Sequence, residues 1–427
     1  MIGLGVTGLP LAAAIAATET TVVGIDVNPE VVAAVNAGRV FREGDPGLPA
    51  IVRKQVSAQR LRAFEDPDVI IDSDVVVVSV GTPIEPSSRD PSYKALNSAL
   101  RSIGSRLKPK ALVSIASTLA PGSMESVVRP TLERASKMKV GRDIHLVYCP
   151  ERLATFRVLS EMADLPRILG ANEPVAIRKA LAFYRRFVRG EIHVTDWKTA
   201  EVSKTAENAY EDIQIAFANE IALISEELGV DAFRVRELVN VLPDRMMFSP
   251  RVGVGGRGIP RDPWLLMSPA TQTKPELIPT ARSVNDFMPR RMARLVEEGL
   301  AASGRRIKGA RVTVLGFAYP ENTGDSRNTP AITVIQELRR RGADVIIHDP
   351  FARSERGYTI LRDLKAAVKG ADCVAIVTAH DEYRELDLRV LRQIMRHRVI
   401  VDGQNLFQGA EIVKAGFVYR GIGKGQF

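Results

Sequence analysis

Residues 1–30, MIGLGVTGLPLAAAIAATETTVVGIDVNPE, decide the fold. Gly3, Gly5 and Gly8 form G-x-G-x-x-G, an alanine-rich helix follows, and the run TVVGID ends on Asp26. In such a turn–helix–strand unit the glycines let backbone N–H groups approach a pyrophosphate at the helix N-terminus. The acidic residue after the next strand accepts from the adenosine ribose hydroxyls. Three glycines alone make no more than a turn of small residues; the helix, the strand and the position of Asp26 together predict a dinucleotide site. Asp26 would repel a 2′-phosphate, so the cofactor expected is NAD rather than NADP. Such a fingerprint ordinarily follows a hydrophobic strand, and here only Met1 and Ile2 precede Gly3. The expectation is a first strand cut short, through a late start or a damaged domain, with its neighbours left unpaired.

Working outward, the runs DVVVVSVGTP (74–83), ALVSIASTLAPG (111–122) and IHLVYCPERL (144–153) are separated by helix-like segments such as YKALNSALRSIGSRL. Apolar, β-rich runs between helices predict a parallel, doubly wound sheet, which binds ligands beyond the carboxyl ends of its strands. Thr82, Thr118 and Glu151 fall at those ends. Each alone reads as a turn or cap residue; their shared edge is what suggests a site.

The segment 195–230, TDWKTAEVSKTAENAYEDIQIAFANEIALISEELGV, predicts one long helix, with Thr195 or Asp196 capping its start and Gly229 ending it. Glu201, Lys204, Asn208 and Glu211 share one polar stripe, and Val202, Ala206, Ala209, Ile213, Phe217, Ile221 and Ile224 are expected to be buried. The stripe reads either as a solvent edge or as a lysine held in a cleft to supply charge or a proton, with Asn208 orienting a substrate. A second helix, DAFRVRELVNVL, leads to the loop FSPRVGVGGRGIPRDPWLL. Its glycines and flanking apolar anchors predict backbone pressed against a ligand. From Lys308 the βα pattern restarts with ARVTVLGFAY, ITVIQELRRRG, ADVIIHDPF, DCVAIVTAH and RVIVDGQNLF. This second half lacks G-x-G-x-x-G, so it is expected to hold a nucleotide portion of the substrate rather than a second dinucleotide.

The predicted fold class is α/β, two Rossmann-like doubly wound parallel-sheet domains joined by a long central helix. The expected domains are an NAD-binding part (1–194), a central helical substrate and dimerisation region (195–300) and a nucleotide-sugar part (301–427). The 427 residues suffice for two or three cores. No apolar run is long enough to span a bilayer and no signal peptide precedes the first motif, so the expected setting is cytoplasmic, with no membrane partner. The net charge of +9 is spread among acidic residues, with no basic arm, and no nucleic-acid partner is expected. Cys149 and Cys373 lie in apolar runs without metal-ligand spacing, and no metal site is expected.

The stretches GLGVTGLPLA, GIDVNPEVVAAVNAGR, STLAPGS, CPERL, KTAENAYEDIQIAFANEIALI, GVGGRGIPRDPW and GDSRNTPA resemble, in order and over essentially the whole chain, the UDP-glucose/GDP-mannose dehydrogenase family. CPERL with DPWLL looks more like its UDP-N-acetylmannosamine and UDP-N-acetylglucosamine 6-dehydrogenase branch. The resemblance implies oxidation of the C6 alcohol of a UDP-sugar by two NAD, through an aldehyde captured on a cysteine. By position, it implies that Gly3, Gly5, Val6, Thr7, Gly8, Asp26, Thr82, Thr118 and Arg327 contact NAD. It likewise implies that Glu151, Leu153, Lys204, Asn208, Arg245 and Gly255 contact the sugar nucleotide, Arg245 reaching a substrate in the neighbouring subunit of a dimer. A long apolar helix between two domains has more hydrophobic surface than they cover, so a two-fold homodimer built on residues 200–228 is expected. Lys204, Asn208, Asp262, Glu151 and Thr118 would carry the chemistry, Asp262 helping to activate water. Two departures concern the family's own groups: the nucleophilic cysteine of G-G-x-C-x-P falls on Gly258, and a phosphate-facing lysine falls on Pro320. Glycine has no nucleophile, so the second oxidation is expected to be impaired. A β-hydroxyacid-type dehydrogenase shares Lys-x-x-x-Asn but not residues 308–427, and a catalytically impaired binding relative is the other alternative.

Overall fold

The structure, a computed structural model, describes residues 1–41, 47–152 and 162–425. It contains two compact units, Met1–Asn208 with Arg261–Lys274, and Ala209–Pro260 with Pro275–Phe427. The first carries strands β1 (Val22–Ile25), β2 (Leu61–Phe64), β3 (Val75–Val78), β4 (Leu112–Ile115), β5 (His145–Tyr148), β6 (Arg167–Gly170) and β7 (Ile192–Thr195). β1 pairs with β2, and β3 to β7 follow one another side by side. Ile2 joins the two groups by bridging Ile25 of β1 and Val78 of β3. Its N–H donates to Val77 O at 2.8 Å and its carbonyl accepts from Ser79 N at 2.8 Å, while Gly3 N donates to Ile25 O at 2.8 Å. The neighbours expected to lie unpaired are therefore bridged by Met1 to Gly3, which occupy the first-strand position of a dinucleotide-binding sheet. One pair departs from the parallel pattern: β6 runs antiparallel to β5, meeting it at Tyr148 and Gly170.

The second unit carries β8 (Arg311–Leu315), β9 (Asp344–His348), β10 (Cys373–Ile376), β11 (Val399–Asp402) and β12 (Val418–Gly421), in the order β12-β11-β10-β8-β9. All four pairings are parallel. This is the other common doubly wound order, whose reversal lies between β8 and β10. Strands buried on both faces explain the uninterrupted apolar runs such as CVAI and VVVV.

The central helix spans Trp197–Leu228. Asp196 accepts from Thr199 N at 2.9 Å and caps it; Gly229, at φ 71°, ends it. Its burial corrects the expectation drawn from polarity. Val202, Phe217 and Ile224 are exposed, Phe217 by 51%, whereas Glu201, Lys204, Thr205, Asp212 and Asn219 are buried. Each buried polar group has a partner, which is what makes the inversion tolerable. In the second unit, Arg282 donates to Asp212 at 2.6 Å, Asn219 donates to Asn285 at 2.9 Å, and Asn219 accepts from Arg251 N at 2.7 Å.

Candidate active site

The glycine turn after Ile2 is shaped by two different needs. A Cβ on Gly3, at φ +87°, would stand 2.4 Å from Ser79 O, and one on Gly8 would stand 1.9 Å from Gly3 O. These two glycines are required by the protein's own backbone. A Cβ on Gly5 would meet nothing within 4 Å. Gly5 thus opens onto free space beside Val6 and Thr7, at the start of the helix Gly8–Ala16, which has neither a side-chain cap nor an acidic residue in its first turn. That is an uncompensated positive helix end of the kind that takes a pyrophosphate. Asp26 accepts from Leu4 N at 2.8 Å and from Asn28 N at 3.0 Å, so its carboxylate is fixed beside the turn. The residues present fit NAD.

The second unit repeats this turn and closes it. Gly316 has φ +98°. The next two N–H groups, of Phe317 and Ala318, donate to Asp349 Oδ2 at 2.7 and 2.8 Å. Asp349 Oδ1 accepts from Phe351 N at 2.7 Å and Ala352 N at 2.6 Å, and His380 Nε2 lies 3.1 Å from Oδ2. Burial opposes ionisation of Asp349, but His380 and the backbone N–H groups outweigh it and hold its pKa down to about 2. An internal carboxylate thus takes the N–H groups of this turn.

Beyond the strand ends of the first unit, Thr82 donates to Thr118 O at 2.6 Å, and Arg261 reaches Thr82 O at 3.4 Å. Arg261 also donates through Nε to Asp262 Oδ1 at 2.7 Å, and Asn208 donates to Asp262 Oδ2 at 2.5 Å. Asp262 is 0% exposed, and each of its oxygens is held by a different chain segment. Lys204, 6% exposed, has its ammonium 3.6 Å from Glu207 Oε2, and Glu207 accepts from Arg152 Nε at 2.9 Å. Glu151 is buried with Arg167, whose Nη1 donates to Oε1 at 2.8 Å. Asn208 and Asp262 are thus in direct contact, and Lys204 stands one helical turn before Asn208 with its ammonium beside Glu207.

The sequence reading missed Arg261, Glu207 and Arg167. Arg261 and Glu207 adjoin predicted residues and carry no pattern of their own. Arg167 did leave a signal, a single charge in the strand-like run PRILG. Arg245, Gly255, Gly258 and Arg327 belong to the second unit. There Arg327 pairs with Asp325, Nε to Oδ1 at 2.6 Å, and its carbonyl accepts from Gly256 N at 2.9 Å. A Cβ on Gly255 would meet Tyr319 at 2.7 Å, and one on Gly253 would meet Pro289 at 3.0 Å. Those two glycines are pressed against protein, which corrects the expectation that the loop as a whole faces a ligand. Leu153 lies outside the described residues.

Three family models cover nearly all of the chain: the UDP-glucose/GDP-mannose dehydrogenase family's NAD binding domain over residues 1–188, its central domain over 198–287 and its UDP binding domain over 313–409. The chain belongs to the UDP-glucose/GDP-mannose dehydrogenase family. UDP-N-acetyl-D-mannosamine dehydrogenase of Pyrococcus horikoshii is 34% identical over 100% of this chain and 99% of its own length. NDP-N-acetyl-D-galactosaminuronic acid dehydrogenase of Ralstonia nicotianae is 32% identical over 96% of each. The solved structure of the Pyrococcus horikoshii UDP-D-ManNAc dehydrogenase matches with a TM-score of 0.93 at 33% identity, over 100% of this chain and 99% of that one. As a member of this family the protein is an NAD-dependent nucleotide-sugar dehydrogenase.

Within that family the thiol question is sharp. Cys149 and Cys373 are buried, and burial pushes both thiols above their usual range. Neither is poised as a nucleophile.

Proposed function

We propose that this enzyme oxidises the C6 hydroxyl of a UDP-N-acetylhexosamine with NAD, and that the reaction slows after the first hydride transfer. The observation that carries the reading is the contact of Asn208 with the buried Asp262 at 2.5 Å, with the buried Lys204 one helical turn before Asn208. Lys204 and Asn208 bind the C6 oxygen, and Asp262, with Lys204, receives the proton as NAD takes the hydride. Thr118 and Glu151 position water at the same sheet edge. The sugar class is supported by CPERL and DPWLL and by the N-acetylhexosamine substrates named for the relatives. Without a thiol at 258 the aldehyde is not captured covalently and can leave.

The dimer is part of the same reading. Tyr210, Phe217 and Ile224 recur every seven residues on the central helix and are exposed, as are Leu228, Leu238, Leu242 and Met246 downstream. An apolar stripe of this kind fits a second copy of the chain, with Arg245 reaching the partner's substrate.

The test is a panel of UDP-sugars with NAD, read as NADH formed and by mass spectrometry of the products. Slow turnover with released aldehyde is expected, and Gly258→Cys should raise the carboxylate yield. Efficient formation of two NADH per sugar by the unaltered protein would refute the block at the second step.

A further inference from the structure

We propose that Glu201 is a positioning residue for this oxidation, its carboxylate setting the loop 118–124 in register with the turn of the central helix that carries Lys204. The proposal rests on the roles given above to Thr118 and Lys204. Glu201 is fully buried, and its two oxygens accept from Gly122 N at 2.6 Å and Met124 N at 2.7 Å. Two further N–H groups of the loop go to tyrosine hydroxyls: Ala120 N to Tyr93 at 3.0 Å and Leu119 N to Tyr148 at 3.3 Å. The Tyr93 hydroxyl also lies 2.7 Å from Ser123 Oγ. Of these acceptors only Glu201 stands on the helix of Lys204, one turn before it. Thr205 donates to the Glu201 carbonyl at 2.8 Å, tying that turn together.

A carboxylate is the group this place calls for. Two converging N–H donors need two acceptor oxygens, and a protonated acid or an amide offers one acceptor and turns a donor on the other N–H. The charged and titratable groups around Glu201 are Tyr93 and Tyr148, Glu125 on the loop's helix, and Lys198 on its own helix, which pairs with Glu125 at 3.3 Å. Arg261 bears on both tyrosines and Asp262 on Tyr148. Burial raises the Glu201 pKa to about 7 against the pull of the two N–H groups, with Glu125 adding to the rise and Lys198 opposing it. Near neutral pH Glu201 takes a proton, one of the two N–H bonds is lost, and the loop bearing Thr118 loosens against Lys204.

The experiment pairs steady-state kinetics with amide hydrogen exchange of residues 118–124, on the full chain, between about pH 5.5 and 8.5. In the unaltered protein kcat and exchange protection of the loop should fall together as pH drops through about 7. Glu201→Gln should lower kcat at alkaline pH by about tenfold, the scale of one unsatisfied N–H, and abolish the acid limb. Glu201→Asp should keep a limb. A loop whose protection is independent of pH in the unaltered protein, or a limb retained in Glu201→Gln, overturns the proposal; the first measurement needs no variant to fold. Expected exchange behaviour without turnover of any UDP-sugar would mean that the functional reading fails and the registration stands. Turnover and exchange both indifferent to Glu201 would mean the reverse.

Discussion

Replacing Arg167 with methionine removes a charge but keeps most of the volume, and the structure says what that should cost. The side chains of Arg167 and Glu151 are 4% and 6% exposed, and they meet at 2.8 Å. Arg167 also donates to Met162 O at 3.1 Å and stands 5.5 Å from the Tyr184 ring and 5.6 Å from that of Phe187. Burial works against its charge, but Glu151 outweighs that and holds the guanidinium ionised above the ordinary range. Breaking such a pair from one side leaves the other charge buried alone, at about 3–5 kcal/mol. For a unit of about 200 residues that is a fall of roughly 6–20 °C in melting temperature. Scanning calorimetry of Arg167→Met would read it, and the double variant with Glu151→Leu should recover much of the loss, because an apolar pair needs no compensation. The single variant should also lose hydride transfer, since Glu151 would no longer be fixed at the strand ends. A melting temperature within about 2 °C of the unaltered protein would show that the pair is not what holds Glu151, and the reasoning would fall.

Two further outcomes are expected. Asp26→Ser removes a fixed carboxylate from the ribose position and its repulsion of a 2′-phosphate, so the preference for NAD over NADP should shrink by about tenfold or more by titration calorimetry; equal affinities in the unaltered protein would contradict the assignment. Phe217→Asp places a charge in the middle of the exposed stripe of the central helix, so light scattering at micromolar concentration should show monomers where the unaltered protein shows dimers, and an unchanged mass would move the interface elsewhere.

How much was legible depended on whether a residue's neighbours lay close in sequence. The glycine turn, its helix and Asp26 fall within 26 residues, and apolar, β-rich runs alternating with helix-like segments marked both sheets. Lys204 and Asn208 were legible as a pair one turn apart. Asp262, the partner of Asn208, lies 54 residues on, and only the family resemblance linked it to the pair. The burial of the central helix was misread for a related reason. Hydropathy assigns Phe217 to the interior and Asp212 to solvent; the pairing of Asp212 with Arg282, 70 residues away, reverses that order, and periodicity carries no trace of it. Arg167 was hidden the same way, since its partner Glu151 lies 16 residues away on another strand's end. The short strand β12 was too brief and too polar to stand out as VYRG.

The two halves of the chain show why the site, and not the fold, has to carry the functional claim. Both place a glycine at positive φ after the sheet's first strand position, Gly3 and Gly316, and both follow the next strand with an aspartate, Asp26 and Asp349. In the first, Asp26 takes one N–H of the turn, that of Leu4, and the next residue is Gly5, open to space. In the second, Asp349 takes two, and the residue in the place of Gly5 is the fully buried Ala318. The first turn leads directly into the helix Gly8–Ala16, whereas the next helix after Gly316 begins only at Pro330, so the second turn has no helix N-terminus beside it. The second unit has a different doubly wound strand order, and its residues 313–409 match a UDP binding domain rather than a second NAD binding domain. The same logic applies at Gly258. Glycine offers no thiol where the family's G-G-x-C-x-P carries one, and both Cys149 and Cys373 are buried, so the products formed, and not the fold, decide how far the oxidation runs.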